Sequence, residues 1–209
     1  MNSNYPKSIA VIVAHPDDET LWAGGTILEH PSNKWYIISL CRAGDSDRAE
    51  RFYNTLNILN AEGNMGDLDD GPDQLPLDKK ELENEILRLL PHNHYDLIIT
   101  HHHTGEYTRH LRHEEVSKAV LNLWHEKKIK TLELWTFAYE DGNKAYLPKA
   151  IENANFTEKL SGNIWARKYS IITDIYGFEK NSWEAKSTPK TEAFWQFRDS
   201  KTAINSIRP

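Results

Sequence analysis

The sequence has one cysteine, no long hydrophobic run and no basic segment. Because Cys41 is the single cysteine among 209 residues, an internal disulfide and a metal site made of several cysteines are both excluded. No stretch approaches the roughly 18 apolar residues that a membrane-spanning helix needs. The formal net charge is −6 and the basic residues form no stripe, which argues against nucleic acid or an anionic membrane as the main partner.

The N-terminus also lacks a recognisable targeting signal. Met1–Lys7 has no apolar core of the kind found in a signal peptide. Together with the single cysteine, this predicts a cytoplasmic, reducing location. Hydrophobic residues make up 39% of the chain and charged residues 27%, a composition typical of a folded globular protein. We expect a single domain over residues 1–209, with a core at about 8–140 and a C-terminal elaboration at about 141–209.

Apolar runs alternate with amphipathic segments, which indicates strands alternating with helices. The predicted strands are Ser8–Ala14, Trp35–Cys41, Tyr95–Thr100 and Thr131–Tyr139. The predicted helices are Asp18–His30, Asp47–Asn60, Leu82–Leu90, His110–Lys127, Phe156–Ile175 and Glu192–Ala203. Two polar segments are predicted to be mostly loop, Ala61–Leu77 and His101–Arg109. The alternation favours an α/β fold with a Rossmann-like, mainly parallel sheet flanked by helices and a divergent C-terminal cap.

The most informative segment joins the first predicted strand to the first predicted helix. The apolar run ends at His15, and Asp17, Asp18 and Glu19 follow within four residues. In open α/β sheets, the carboxyl ends of the strands are where ligands bind. Residues three apart at a helix start are neighbours, so His15 and Asp18 can face one ion while Asp17 points elsewhere. So many charges need a cation, or shifted pKa values, to coexist.

A second cluster follows the third predicted strand and is therefore expected at the same edge of the sheet. It contains His110 and His113, again three residues apart at a helix start. One of them can complete a site of two imidazoles and one carboxylate, which leaves an open position for water as in catalytic zinc sites. Asp17 is then placed to take a proton from that water. The remaining histidine can donate to the oxyanion or to the leaving amine.

Each of these residues also has an ordinary structural explanation. Asp17 or Asp18 alone can cap the following helix, and His110 and His113 alone can lie on a solvated helix face. Two clusters with the same spacing at one sheet edge favour the metal site instead. The run His101–His103 is interpreted as mainly loop, with at most a contact to a metal ligand.

The sequence Ala-His-Pro-Asp-Asp-Glu at residues 14–19, followed downstream by Gly-x-Tyr and His-x-x-His, resembles the PIG-L/LmbE family of zinc-dependent de-N-acetylases. The resemblance covers roughly residues 8–140. It implies a Zn²⁺ cofactor, with another divalent ion such as Fe²⁺ as an alternative. The implied ligands are His15, Asp18 and His113.

The same resemblance implies roles for further residues. Asp17 corresponds to the general base, and His110 to the group that stabilises the tetrahedral intermediate or acts as an acid. The implied substrate-binding residues are Arg48, Asp70 and Tyr107: an arginine that holds a polar head group, an aspartate that often faces the sugar, and the tyrosine of the Gly-x-Tyr pattern.

Two positions depart from the family pattern. Arg112 stands where the family often has Asp, so the supporting role of that Asp is lost or supplied elsewhere. Arg51 stands where the family often has Glu, which leaves open an anionic substrate group beside Arg48 or a solvated helix face.

The resemblance implies a zinc-dependent hydrolase that removes an N-acetyl group from an N-acetylglucosamine-type sugar or glycoconjugate. The expected partner is a small N-acetylated amino sugar or glycoside, without nucleic acid or a membrane span, and a homo-oligomer is compatible with the sequence. Two alternatives stay open. One is a non-haem Fe(II) enzyme, whose facial triad also uses two histidines and a carboxylate, although a β-barrel is expected for it. The other is a catalytically silent sugar-binding protein of the same fold.

Overall fold

Five parallel strands form the centre of the structure, a computed structural model that describes residues 5–206. They are β1 (Ser8–Val13), β2 (Lys34–Cys41), β3 (Ala61–Leu68), β4 (His94–Thr100) and β5 (Lys130–Phe137). Two short strands, β6 (Tyr139–Glu140) and β7 (Lys149–Ala150), pair separately. The last two, β8 (Phe156–Lys159) and β9 (Thr191–Phe197), extend the main sheet in antiparallel orientation. The strand order is β3-β2-β1-β4-β5-β9-β8, which confirms the predicted α/β fold with a mainly parallel sheet.

Helices cover both faces of this sheet. In chain order they are α1 (Asp18–Glu29), α2 (Ser46–Leu59), α3 (Lys79–Leu89), α4 (Leu111–His125), α5 (Gly162–Ser170), α6 (Trp183–Ser187) and α7 (Ser200–Ser206). A π-helical turn, Ile171–Ile175, continues α5. Apolar side chains of α1, α2 and the π-helical turn form one buried core with the sheet, and those of α3, α4 and α7 form a second core on the opposite face.

The alternation of side chains along β1 explains why this strand lies at the centre. Ile9, Val11 and Val13 belong to one core, whereas Ala10 and Ile12 belong to the other. Successive side chains of a strand point to opposite faces of the sheet, so a strand without polar positions is buried on both sides. The apolar run that predicts the strand therefore also predicts its central place.

β1 and β4 run parallel, but the order in which the chain adds strands to the sheet reverses between them, and this reversal places the site. β1 pairs with β2 on one side and with β4 on the other, and the chain visits β2 and β3 before it returns to β4. Ligands of open α/β sheets bind in the crevice at such a switch point, outside the carboxyl ends of the strands. The segments that leave β1 and β4 begin at Ala14 and His101, so the two predicted clusters meet there.

The prediction that Ala61–Leu77 is mostly loop is wrong for its first eight residues, which form β3. This strand has few apolar side chains and two glycines, a composition that disfavours strand formation. Pairing with β2 outweighs that preference. A Cβ at Gly63 would overlap the carbonyl oxygen of Ile37, so the glycine permits the close approach of the two backbones.

The predictions for the C-terminal part are wrong in two places. Residues predicted as a helix at Glu192–Ala203 form β9 and then α7, because the aromatic segment pairs antiparallel with β5. The helix predicted at Phe156–Ile175 begins as β8, and Ser161 then caps α5 by accepting the backbone N–H of Ile164.

Two further predictions concern membranes and targeting. Within residues 5–206, no helix is both long and apolar enough to cross a bilayer. The prediction that the N-terminus is not a signal peptide rests partly on Met1–Asn4, which lie outside the described residues. Cys41 is buried at the end of β2 and packs among apolar side chains of the core.

Candidate active site

A polar cavity opens at the carboxyl ends of β1 and β4, with a volume of about 200 Å³. All the residues predicted to bind substrate or act in catalysis line it. Its lining consists of His15, Pro16, Asp17, Asp18, Leu21, Arg42, Arg48, Asp70, Tyr107, His110, Trp183 and Glu184. His113, the remaining predicted residue, is fully buried beneath this cavity and contacts His15 and Asp18. The structure thus brings together both sequence clusters.

Three electron-pair donors converge at the floor of the cavity. His15 Nδ1 lies 3.1 Å from Asp18 Oδ2, His113 Nε2 lies 3.3 Å from the same oxygen, and the two histidine nitrogens are 3.2 Å apart. Tetrahedral zinc with ligands at about 2.0–2.1 Å places its donor atoms about 3.3 Å from one another. The spacing of the three donors therefore fits a tetrahedral cation.

The carboxylates that contact the outer nitrogens of the two imidazoles also fit a bound cation. Nδ1 of His113 lies 2.6 Å from Glu106 Oε2, and Nε2 of His15 lies 3.1 Å from Asp70 Oδ1. An imidazole that donates its outer N–H to a carboxylate keeps a lone pair on its inner nitrogen. In the neutral tautomers that donate to these carboxylates, two imidazole lone pairs and a carboxylate oxygen face one another. A positive ion satisfies all three.

Two other histidines lie close enough to replace one of these ligands. His110 forms a possible metal-binding group with His15 and His113, and His101 forms another with Asp18 and His113. Nε2 of His101 already accepts the backbone N–H of Ala14 at 3.0 Å, so its lone pair is engaged. The donor atoms of the predicted set lie within 3.3 Å of one another. This closeness favours His15, Asp18 and His113 as the ligands.

Asp18 is fixed by hydrogen bonds on both carboxylate oxygens. Oδ1 accepts the indole N–H of Trp22 at 3.1 Å, and Oδ2 accepts the backbone N–H of His15 at 3.0 Å. Burial raises the pKa of Asp18, but the facing imidazoles of His113 and His101 outweigh burial and hold that pKa well below its ordinary value. Asp18 is therefore an ionised carboxylate that is fixed in position.

Asp17 has the opposite electrostatic environment. Burial and the adjacent Asp18 carboxylate raise the pKa of Asp17 well above its ordinary value. Neighbouring carboxylates whose environments separate their pKa values commonly divide the roles of acid–base group and charged partner. Asp17 also has a backbone φ of 131°, and its N–H donates to Glu19 Oε2 at 3.1 Å. This strained backbone turns the Asp17 side chain into the cavity lining.

Glu19, to which the sequence assigns no role, supports this turn. It is fully buried, and besides the N–H of Asp17 it accepts the hydroxyl groups of Thr20 and Tyr176, at 2.6 and 2.7 Å. The conformation of Asp17 therefore depends on a residue of the C-terminal part, Tyr176.

Glu106 is a functional residue that sequence reasoning missed. It is buried and lies within hydrogen-bond distance of the Nδ1 atoms of His113 and His101, at 2.6 and 3.0 Å, and of the backbone N–H of His102. Family members often have Asp in the His-x-x-His motif, where this chain has Arg112. In this chain the carboxylate beside His113, a predicted metal ligand, comes from the preceding loop. Nothing in the sequence around Glu106 separates it from a solvated loop glutamate.

Arg112 has a different task, which is to hold the segment after β3. Its buried guanidinium donates to the carbonyl oxygens of Asp69 and Leu75 at 2.6 and 2.8 Å, and to Glu115 Oε2 at 2.6 Å. The other oxygen of Glu115 accepts the N–H of Leu77 at 2.9 Å. We call Arg112 and Glu115 the loop clamp, because both lie in the first turns of α4 and fix residues 69–77.

The clamped segment carries Asp70, which was predicted to contact the sugar. Its Oδ1 lies 3.1 Å from His15 Nε2, and its Oδ2 accepts two N–H groups of Arg42 at 2.6 and 2.9 Å. Asp70 lines the cavity, and these contacts also place its carboxylate against His15, a predicted metal ligand.

His110 lies above the convergent donors. Its ring stacks on His113 with centroids 4.5 Å apart and meets the His15 ring edge-on at 4.6 Å. Burial and these two imidazoles lower the pKa of His110 to about 3, so the ring is neutral near pH 7. Its Nδ1 atom is buried and has no hydrogen-bond partner among residues 5–206.

The two arginines of α2 have different environments. Arg48 lies at the cavity with one guanidinium nitrogen 3.4 Å from Asp17 Oδ2, and it stacks over the ring of Phe178 at 5.0 Å. Arg51 pairs with Asp47 at 2.8 Å, donates to the carbonyl oxygen of Ile175, and is absent from the cavity lining. Of the two, only Arg48 is placed to meet a substrate in this cavity.

We expect Glu106→Gln to weaken metal binding by roughly 10–100-fold, the usual effect of losing a carboxylate behind a ligating histidine. A glutamine oxygen is less basic than a carboxylate and no longer increases the electron density of His113. Competition for zinc with a chelating dye measures the change. Glu114→Gln is the matched control, because Glu114 is similarly buried but pairs with Arg109 rather than with a ligand. Equal zinc affinity of wild type and Glu106→Gln would contradict the assignment.

Comparison with protein families gives one match. The model described as PIG-L, GlcNAc-PI de-N-acetylase, matches residues 10–124, which is more than half of the chain. A relative from Acanthamoeba polyphaga mimivirus, named Uncharacterized protein L374, is 28% identical over 153 residues. The matched region spans 66% of this chain and 65% of that protein.

Solved structures share the fold at low sequence identity. One is GalB, the 4-carboxy-2-hydroxymuconate hydratase of Pseudomonas putida KT2440. It superposes with a TM-score of 0.61 at 16% identity, and the superposition covers 90% of this chain and 95% of that one. The A40926 pseudoaglycone deacetylase Dbv21 has a TM-score of 0.60 at 16% identity, with coverages of 91% and 97%. The conserved protein TT1542 of Thermus thermophilus has a TM-score of 0.59 at 18% identity, with coverages of 90% and 94%. A hydratase and a deacetylase thus share this fold, so the fold alone does not select the reaction.

Proposed function

Because the chain belongs to the PIG-L family of de-N-acetylases, we propose that it is a zinc-dependent hydrolase that removes an N-acetyl group from an N-acetylglucosamine-type sugar or glycoconjugate. The observation that carries this proposal is the convergence of His15 Nδ1, Asp18 Oδ2 and His113 Nε2 within 3.3 Å, beside the Asp17 carboxylate. One carboxylate and two imidazoles are typical protein ligands of catalytic zinc.

The proposed ligands are these three residues, with Glu106 and Asp70 orienting the two histidines. A zinc ion bound there would polarise an amide carbonyl and lower the pKa of a water molecule to about 7. The α/β fold argues against the jelly-roll oxygenase that was the first alternative.

Asp17 is proposed to act as the general base. It takes a proton from the attacking water, whose oxygen adds to the acetyl carbonyl carbon. When the carbon–nitrogen bond breaks, Asp17 passes this proton to the leaving nitrogen, so that acetate and a free amine are released. The raised pKa of Asp17 suits both transfers, since a carboxylate of ordinary pKa holds a proton too weakly near neutral pH.

His110 is proposed to stabilise the oxyanion as a neutral hydrogen-bond donor. With its pKa lowered to about 3, the imidazole carries a single N–H near pH 7 and is a poor source of a proton. A preorganised donor of this kind contributes to transition-state stabilisation. The acid role implied by the family resemblance therefore falls to Asp17.

An amine-release screen tests the proposal. The wild-type protein with added zinc is expected to release acetate and amine from at least one compound among N-acetylglucosamine, its phosphates, its small glycosides and di-N-acetylchitobiose. Preincubation with a chelator should abolish release, and zinc should restore it. No release from any compound, with zinc bound and the sugar still binding, would favour the silent sugar-binding alternative.

A further inference from the structure

The cavity has one wall that the family match does not cover. Trp183 and Glu184 line it from α6, far beyond residues 10–124. The rest of the lining is mainly charged or polar, with carboxylates, imidazoles and arginines. A large aromatic ring beside so many polar groups is unusual for a site that binds only an acetamido group.

Trp183 differs from the other tryptophans in its exposure. Of the seven tryptophans, all within the described residues, it alone is exposed, with 37% of its surface accessible. A partly accessible indole offers apolar surface that a ligand can cover. Trp183 also lines the cavity that contains the residues of the proposed chemistry.

The ring is also held in place. Tyr107 contacts it edge-on, with centroids 4.7 Å apart at 64°, and Trp22 lies at 6.5 Å and 69°. Ser182 caps α6 by accepting the N–H of Ala185, which fixes the backbone beneath the ring. A rigid aromatic surface loses little conformational entropy when a ligand packs on it.

We propose that Trp183 is a specificity-determining residue whose indole packs against the apolar C–H face of one pyranose ring. The electron-rich face of an indole attracts such C–H groups, which are weakly positive. Glu184 is placed at the same wall to accept hydrogen bonds from sugar hydroxyls. A cavity of about 200 Å³ is smaller than the roughly 300–1,000 Å³ of sites for drug-sized ligands, so it suits one ring with any aglycone outside.

This inference rests on the proposed function, and its test separates the two. Steady-state hydrolysis is compared for N-acetylglucosamine and for acyclic N-acetylethanolamine. Trp183→Ala is expected to raise KM for the sugar roughly tenfold, to leave kcat within about threefold, and to leave the acyclic compound unaffected. Trp183→Phe should recover most of the loss. Trp165→Ala is the control, because Trp165 stacks on Tyr169 and is absent from the cavity lining.

Equal losses of activity toward both compounds, or a fall in kcat at constant KM, would overturn the packing role of Trp183. Either result would leave the proposed deacetylase function standing. If the wild type hydrolyses no compound of the amine-release screen, the proposed function fails, and ligand-observed NMR with N-acetylglucosamine decides whether Trp183 packs on the sugar ring. Saturation transfer to one face of the ring, lost in Trp183→Ala and kept in Trp183→Phe, supports it. Unchanged transfer in both variants refutes it.

Discussion

Replacing Asp17 by asparagine is expected to lower kcat for amide hydrolysis by about 10²–10⁴-fold, the usual contribution of a general base. The asparagine side chain has the same shape but accepts no proton from water. It is preferable to alanine as a test, because Asp17 has a positive φ of 131° and asparagine is among the few residues that tolerate positive φ values. Acetate release under zinc saturation measures the effect.

The zinc content of the Asp17→Asn protein must be measured beside its activity. Asp17 is assigned to proton transfer rather than to the metal, so the variant should bind zinc as the wild type does. A variant that is inactive because it has lost zinc would place Asp17 among the ligands. A zinc-loaded variant with near-normal kcat would refute the base assignment.

Replacing His113 by alanine is expected to remove nearly all bound zinc, and with it the activity. The substitution deletes one of the three convergent donors and leaves the buried carboxylate of Glu106 without that partner. A buried polar group that loses its partner costs about 1–3 kcal/mol, so the melting temperature should fall as well. Metal analysis of the purified, folded protein is the deciding measurement.

His110→Ala is the matched comparison for that variant. His110 and His113 lie on the same turn, and both have a ring nitrogen near His15. If His15, Asp18 and His113 bind the ion, His110→Ala keeps zinc and loses turnover. If zinc is lost with His110 and kept without His113, the ligand assignment is wrong.

The site was largely predictable because its residues belong to short local patterns. His15 and Asp18 are fixed by the end of one strand and the first turn of one helix, and His110 and His113 share a turn. The alternation of strands and helices brings the two patterns to one sheet edge. The family match supports this reading, whereas the individual roles of these residues stay predictions.

The supporting residues were not predictable, because their contacts link segments that are distant in sequence. Glu106 and Asp70 show their roles only when the loop that carries each is folded against a histidine. The sequence assigns no role to Glu19, yet its carboxylate accepts the backbone N–H of Asp17 and the hydroxyl of Tyr176. The strand β3 was missed for the same reason, since it owes its conformation to pairing with β2 rather than to its own composition. The aromatic residues of β9 favour a strand, so the helix predicted there overlooked that preference.

The loop clamp has a consequence for how this chain can vary. Extra residues in a surface connection usually cost little, because the entropy of closing a loop grows slowly with its length. The connection between β3 and α3 resembles such a loop, but Arg112 and Glu115 hold it at both ends, and Asp70 within it orients His15. Helix α4 carries His113 and also the loop clamp. It therefore sets the positions of both His113 and His15. We expect insertions between residues 69 and 77 to be selected against as strictly as changes in the proposed metal ligands.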